Sequence, residues 1–159
     1  MLFGKKYMRV ILSVCLLFAA CGIFKPYDVS DVKTITWTMG GIQYNGKGGQ
    51  HEITFRTDGT AEKSDETFEH DFPKVGDVIH NYRSKVTPEQ FGQLAATIAG
   101  HGFFSKKSYP VNDAWENITI VNSKGETRLS VIDKSDSDNT AMVQAVHDLE
   151  GQLKWEEAL

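Results

Sequence analysis

The 159-residue chain carries 17 lysines and arginines against 21 aspartates and glutamates, a formal net charge of −4. That acidic balance argues against nucleic acid as a partner, because phosphate recognition needs a concentrated basic surface. The length suits one domain with a real hydrophobic core.

The chain opens with a basic stretch holding Lys5, Lys6 and Arg9, followed by the apolar run Val10 to Ala20. Basic, then apolar, then small residues is the order of a secretory signal. The apolar run is about half of the roughly 20 residues a membrane-spanning helix needs, so a span is not expected. With Ala19, Ala20, Cys21 and Gly22 in place, residues 1–20 resemble a bacterial lipoprotein signal peptide, although Phe18 stands where leucine is usual. The resemblance implies cleavage after Ala20 and an acyl lipid of the palmitate kind on Cys21. Gly22 stands where an aspartate would signal inner-membrane retention, so the expected place is the outer membrane, lipid-anchored and facing the periplasm. Several acyl chains on one residue give stable anchoring where a single chain is marginal.

Loss of residues 1–20 removes three bases and no acids, leaving 14 against 21 and a charge of about −7. It also removes Cys15, and the lipid takes Cys21. The mature domain then has no cysteine for a disulfide, a thiolate ligand or a nucleophile. Residues 21–32 read as the lipidated N-terminus and tether, and residues 33–159 as a single domain.

In chain order, Ile35, Trp37 and Met39 alternate with threonines, the period of a half-buried strand. The glycine-dense segment Gly40 to Gly49 follows, read as a hairpin loop or a bulge. Ile53 and Phe55 alternate again, and Asp58-Gly59 supplies a hairpin turn. Thr60 to Asp71 reads as polar strand or loop, and Val78 to Val86 as a strand with Val78, His80 and Tyr82 on one side. Thr87-Pro88-Glu89-Gln90 is a capping box with proline at the first helical position. Phe91, Leu94, Ala95 and Ile98 give that helix an apolar face, and Gly100 and Gly102 end it. Phe103-Phe104 plugs the core behind it. Trp115, Ile118, Ile120 and Val121 form a strand, Asn122 to Gly125 its turn, and Thr127 to Ile132 its hairpin partner. A polar loop then enters a second helix through a cap at Asp138 or Asn139, with Met142, Val146 and Leu149 at helical spacing. Trp155 lies in the tail, folded back on that helix or exposed. The expected class is α+β: an antiparallel sheet of four to six strands with two helices packed on one face.

Candidate reactive groups are few. His51-Glu52 lacks the second histidine of the zinc-protease motif, since Phe55 occupies its place. Asp133 to Asn139 has alternating oxygen donors, but counting from Asp136 puts Ala141 at the calcium loop's glycine position. It reads as a solvated helix cap. His51, His70, His80, His101 and His147 fall at no ligand spacing, and no Gly-x-Ser-x-Gly elbow occurs. The expectation is no catalytic residue, no metal and no cofactor. The glycine-rich loop is the functional candidate, presenting Ile42, Tyr44, Asn45 and Lys47 to a partner, because binding residues concentrate on loops held by a scaffold.

From Trp37 onward, Ile53-Thr54-Phe55 before Asp58-Gly59, the capped helix at Thr87, Gly102-Phe103-Phe104, Tyr109, Asp113 and Ile118-Thr119-Ile120 resemble a family of small bacterial lipoprotein domains of unknown function. Many members carry a cysteine pair near the first strand, where this chain has Gly40-Gly41. More loosely, the layout is similar to small metallopeptidase-inhibitor domains. Together these readings imply a non-catalytic, outer-membrane-anchored lipoprotein that binds a protein or envelope component. The alternative is an envelope peptidase inhibitor or toxin-immunity protein.

Overall fold

The computed structural model describes residues 29–42, 48–68, 78–105 and 116–158. Cys21, Tyr44, Asn45, Lys47, His70, Tyr109, Asp113 and Trp115 lie outside the described residues, as does the side chain of Ile42.

Seven antiparallel strands form one sheet: β1 (Val32–Ile42), β2 (Gly48–Arg56), β3 (Thr60–Phe68), β4 (Val78–Lys85), β5 (Glu116–Asn122), β6 (Thr127–Val131) and β7 (Glu156–Glu157). Their spatial order is β6-β5-β1-β2-β3-β4-β7. Among the described residues, two α-helices, α1 (Pro88–Gly100) and α2 (Ser137–Gln152), complete the α+β architecture.

The sheet has one strand more than the upper expectation, and two elements account for it. Thr60 to Phe68 is a full strand although its side chains are mostly polar, because its ladders with β2 and β4 supply the order. The short β7 comes from the tail, where Glu156 and Glu157 pair with Arg83 and Tyr82. The two ends of the glycine-dense segment, residues 40–42 and 48–49, are also strand. Gly40 and Gly41 pair with Gln50 and Gly49 at the far end of the β1–β2 ladder. Gly49 is required there, since a Cβ would stand 3.0 Å from the Glu66 carbonyl oxygen on β3.

The inner face of the sheet is read from the register in three rows. The first runs Ile120, Ile35, Phe55, Ala61, and the second Ile118, Trp37, Ile53, Lys63, Tyr82. The third runs Glu116, Met39, His51, Asp65, His80. Aliphatic and aromatic side chains thus give way to polar ones along the strands. The first row, with Ile118, Trp37 and Ile53 of the second, packs with Leu94, Ile98, Phe103, Met142, Val146 and Leu149 into one core. The opposite face is polar, with Thr36 and Thr54 hydroxyls 3.0 Å apart across the β1–β2 pair.

Helix α1 begins as the sequence predicts. Thr87 accepts from the Gln90 backbone N–H, and the Gln90 side chain accepts from the Thr87 backbone N–H. Gly102, at φ +76°, makes the turn that follows. Helix α2 starts earlier than expected: Asp136 is its N-cap, in place of Asp138 or Asn139, and accepts from the backbone N–H groups of both. The chain also folds before Lys33. Val32 is buried in the core, and residues 29–31 form a 3₁₀ turn tied to Ser123 through Asp31.

Candidate functional site

The polar third row lies where the sheet runs out beneath α2. At its β5 end, Glu116 occupies the same inward phase as Ile118 and Ile120, and its residue is 6% exposed. A carboxylate there needs partners, because an unpaired buried charge is strongly unfavourable. One oxygen is satisfied: Trp37 donates from Nε1 to Glu116 Oε1 at 2.9 Å. The other, Oε2, is buried and accepts no well-formed hydrogen bond among the described residues. Lys134 Nζ stands 3.3 Å from it, on a side chain that is 78% exposed.

The Lys134 backbone is held while its side chain is not. Ile132 donates to the Glu116 carbonyl at 3.0 Å, fixing the end of β6 against the start of β5. Asn139 donates to the Asp133 carbonyl, and the Thr140 hydroxyl approaches the Lys134 carbonyl at 3.5 Å. The lysine stem therefore projects from a fixed point over the carboxylate.

Between this corner and α2 lies an open cleft of about 380 Å³. Trp37, Met39, Ile132 and Val143 give it mainly apolar walls, with Glu116, Lys134 and His147 as its charged or titratable groups. That volume falls within the range of small-ligand sites, and the makeup is theirs too: apolar lining with a few placed polar groups. Met39 is 42% exposed there.

Across Trp37 the same row continues into a linked cluster. The indole meets His147 edge-on at 4.6 Å and His51 at 5.3 Å between ring centroids. His51 Nδ1 pairs with Asp65. Glu150 on α2 gathers three neighbours: His147 Nδ1 at 3.1 Å, Lys63 Nζ at 3.3 Å and His51 Nε2 at 3.7 Å. Lys63 also lies over the Tyr82 and Trp155 rings, and Trp155 donates to the Glu150 carbonyl at 3.0 Å. The tail tryptophan thus folds back on α2. This cluster is internally paired and fixes the position of Trp37 from the other side. Among the described residues, no three His, Cys, Asp or Glu side chains converge as a metal-holding group.

A second concavity, of about 410 Å³, lies on the outer face around Thr54, Glu62 and Arg83. Its charges neutralise each other at an open surface, with Arg56 2.7 Å and Arg83 3.9 Å from Glu62.

The sequence-predicted residues are distributed as follows. His51 and Glu52 point to opposite faces of β2, the first to Asp65 and the second to the Thr38 hydroxyl. His101 caps α1 and pairs with Asp138 at 2.9 Å. In the loop entering α2, Asp133 accepts from the Ser135 backbone and hydroxyl, and Asp136 caps the helix. Glu116 and Lys134 escaped the sequence reading. The available signal was a glutamate in the inward phase of a strand whose next two inward positions are isoleucines.

Compared with protein-family models, curated proteins and solved structures, the chain finds no match.

Proposed function

We propose that this chain is a non-catalytic binding domain, held at the outer membrane by lipid on Cys21, which receives a protein or envelope partner in the cleft beside α2. The observation that carries the reading is a buried carboxylate with one oxygen fixed by Trp37 and the other without an aligned donor, at the edge of an apolar cleft. A purely structural element would bury an apolar side chain at that position at less free-energy cost. The polarity of the fold suits an anchored receptor. Residues 29–32 enter at the start of β1, whereas Met39 and the cleft lie toward its end, roughly 23 Å further along at about 3.3 Å per residue. The loop candidates Ile42, Tyr44, Asn45 and Lys47 follow Met39 closely in the chain, so the loop reading and the cleft reading concern the same end of β1.

The test is site-specific photo-crosslinking in native envelopes. A photoreactive side chain at Gln144, which is exposed and lines the cleft, should give a discrete adduct. The same group at Lys124, in the turn after β5 at the opposite end of the sheet, should not. Identical adducts from both positions, or none from Gln144, would remove the cleft as the contact. Separately, Cys21→Ala should move the protein from the membrane to the soluble fraction; retention in the membrane without lipid by mass would remove the anchor.

A further inference from the structure

Resting on the cleft reading, we infer that the cleft recognises a primary ammonium on an apolar stem, the lysine side chain of a basic partner segment, and that Lys134 is its built-in competitor.

Glu116 supplies the charge selection. Its carboxylate is nine-tenths buried, and Oε2 gains no aligned donor from the described residues. A buried carboxylate attracts a cation far more strongly than an exposed one does, because water screens it less. An anionic ligand would meet repulsion at that point, and an apolar one would leave Oε2 unmatched.

The choice of ammonium over guanidinium follows from which oxygen is already engaged. A guanidinium binds best as a fork across both carboxylate oxygens. Here Oε1 already accepts from the Trp37 indole at 2.9 Å, and Oε2 is the oxygen without an aligned donor, so the unmet demand is for a single donor at one oxygen. A single-point cation fits that arrangement, and an ammonium is a compact point charge on a flexible stem. The chain itself demonstrates the contact: Lys134 Nζ stands 3.3 Å from Oε2.

The apolar walls fit the rest of the side chain. Met39, Ile132 and Val143 line the approach to Glu116, and a lysine stem buries its methylenes along such a surface. Lys134 does not do so, since its side chain is 78% exposed. It approaches from the solvent side and leaves the cleft open. With its stem in solvent it gains no apolar burial and gives up rotamer freedom to reach Oε2, so it covers the carboxylate in the free protein and can be displaced by a stem that lies along the walls. The acidic balance of the chain, 21 acids against 17 bases, favours approach of a basic segment.

The experiment uses the chain from residue 21 with Cys21→Ala, which keeps the whole described domain and lacks only the lipid. Three capped tripeptides are titrated: Leu-Lys-Leu, the same with norleucine in place of lysine, and the same with glutamate. The readout is the indole N–H resonance of Trp37, assigned by its loss in Trp37→Phe. The lysine peptide should shift this resonance saturably and bind at least about tenfold more tightly than the norleucine peptide, the difference one charge-assisted contact makes. Lys134→Ala should tighten the lysine peptide by about two- to fivefold, because the built-in competitor for Oε2 is gone. Glu116→Gln, with an unchanged unfolding midpoint or circular dichroism spectrum as its control, should abolish the preference for lysine. Equal binding of lysine and norleucine peptides, or weaker binding in Lys134→Ala, overturns the ammonium assignment while leaving the cleft as a site. If no peptide shifts Trp37 in the wild type or in Lys134→Ala, and the Gln144 crosslink is also missing, the cleft reading falls with it.

Discussion

The Trp37–Glu116 contact permits a quantitative test of how the sheet tolerates a buried carboxylate. Trp37→Phe removes the indole N–H that donates to Oε1 at 2.9 Å and leaves a small void at a residue that is 1% exposed. A hydrogen bond to a charged group contributes about 1.5–3 kcal/mol, and the void adds roughly 1 kcal/mol. Trp37→Phe should therefore destabilise the domain by about 2.5–4 kcal/mol. Glu116→Ala removes the acceptor and leaves the indole N–H buried without a partner, at about 1–3 kcal/mol. Because both changes break one contact, the double variant should be less damaging than the sum, with a coupling of about 1.5–3 kcal/mol. Equilibrium urea unfolding of the four proteins, monitored by circular dichroism and by the remaining tryptophans, gives the cycle directly. A coupling below about 0.5 kcal/mol lies within ordinary additivity and would refute the claim that Trp37 holds the carboxylate in place.

Three further outcomes are expected. Thr87→Ala breaks the capping box of α1 and should lower stability by about 1 kcal/mol, read by urea unfolding, with no change in peptide binding at the cleft. Gly49→Ala brings a Cβ to 3.0 Å from the Glu66 carbonyl and should destabilise the β2–β3 ladder by about 1–3 kcal/mol; amide exchange localised to those strands checks it. Asp58 accepts from the Thr60 hydroxyl at 2.6 Å and the Thr60 backbone N–H at 2.9 Å, and these hold its carboxyl below its ordinary pKa, the hydroxyl contributing most. A depressed carboxylate stabilises the fold above its unfolded pKa, and that contribution is lost as pH falls through its folded value. Asp58→Asn should thus be less stable than wild type near neutral pH, with the gap closing in strong acid; a gap independent of pH would show that the aspartate's charge is not involved.

Much of the fold is legible in the sequence because the local signals agree with one another. Thr87, Pro88 and Gln90 announce α1 at its first turn, and Asp58-Gly59 announces the β2–β3 hairpin, with Gly59 at φ +89°. The misses have physical causes. From Thr60 to Thr67, Ala61 is the one buried apolar residue of strand β3, so its order comes from neighbouring ladders and leaves no alternation to read. The cap of α2 lies at Asp136 in a run of six residues of capping type, Ser135 to Thr140, where composition alone does not choose. Strand β7 is two glutamates whose pairing depends on where Trp155 lands, a contact set by the completed core. The cleft was harder still. Glu116 and Lys134 are 18 positions apart, and Trp37 is 79 from Glu116; only the β1–β5 register and the β6 return bring them together. A sequence scan for reactive clusters sees each as an ordinary surface charge or core aromatic.

Strand β1 has a mechanical consequence. It runs through the middle of the sheet, hydrogen-bonded to β2 on one side and β5 on the other. If the chain is lipid-anchored and holds a partner as proposed, tension from the anchor would enter at its Val32 end, and a tug from the partner would be felt near Met39. Force applied between those points acts along the strand, so its covalent backbone carries the load and the flanking hydrogen bonds are not peeled apart one by one. A partner held in the cleft could therefore strain against the membrane without unzipping the domain that holds it.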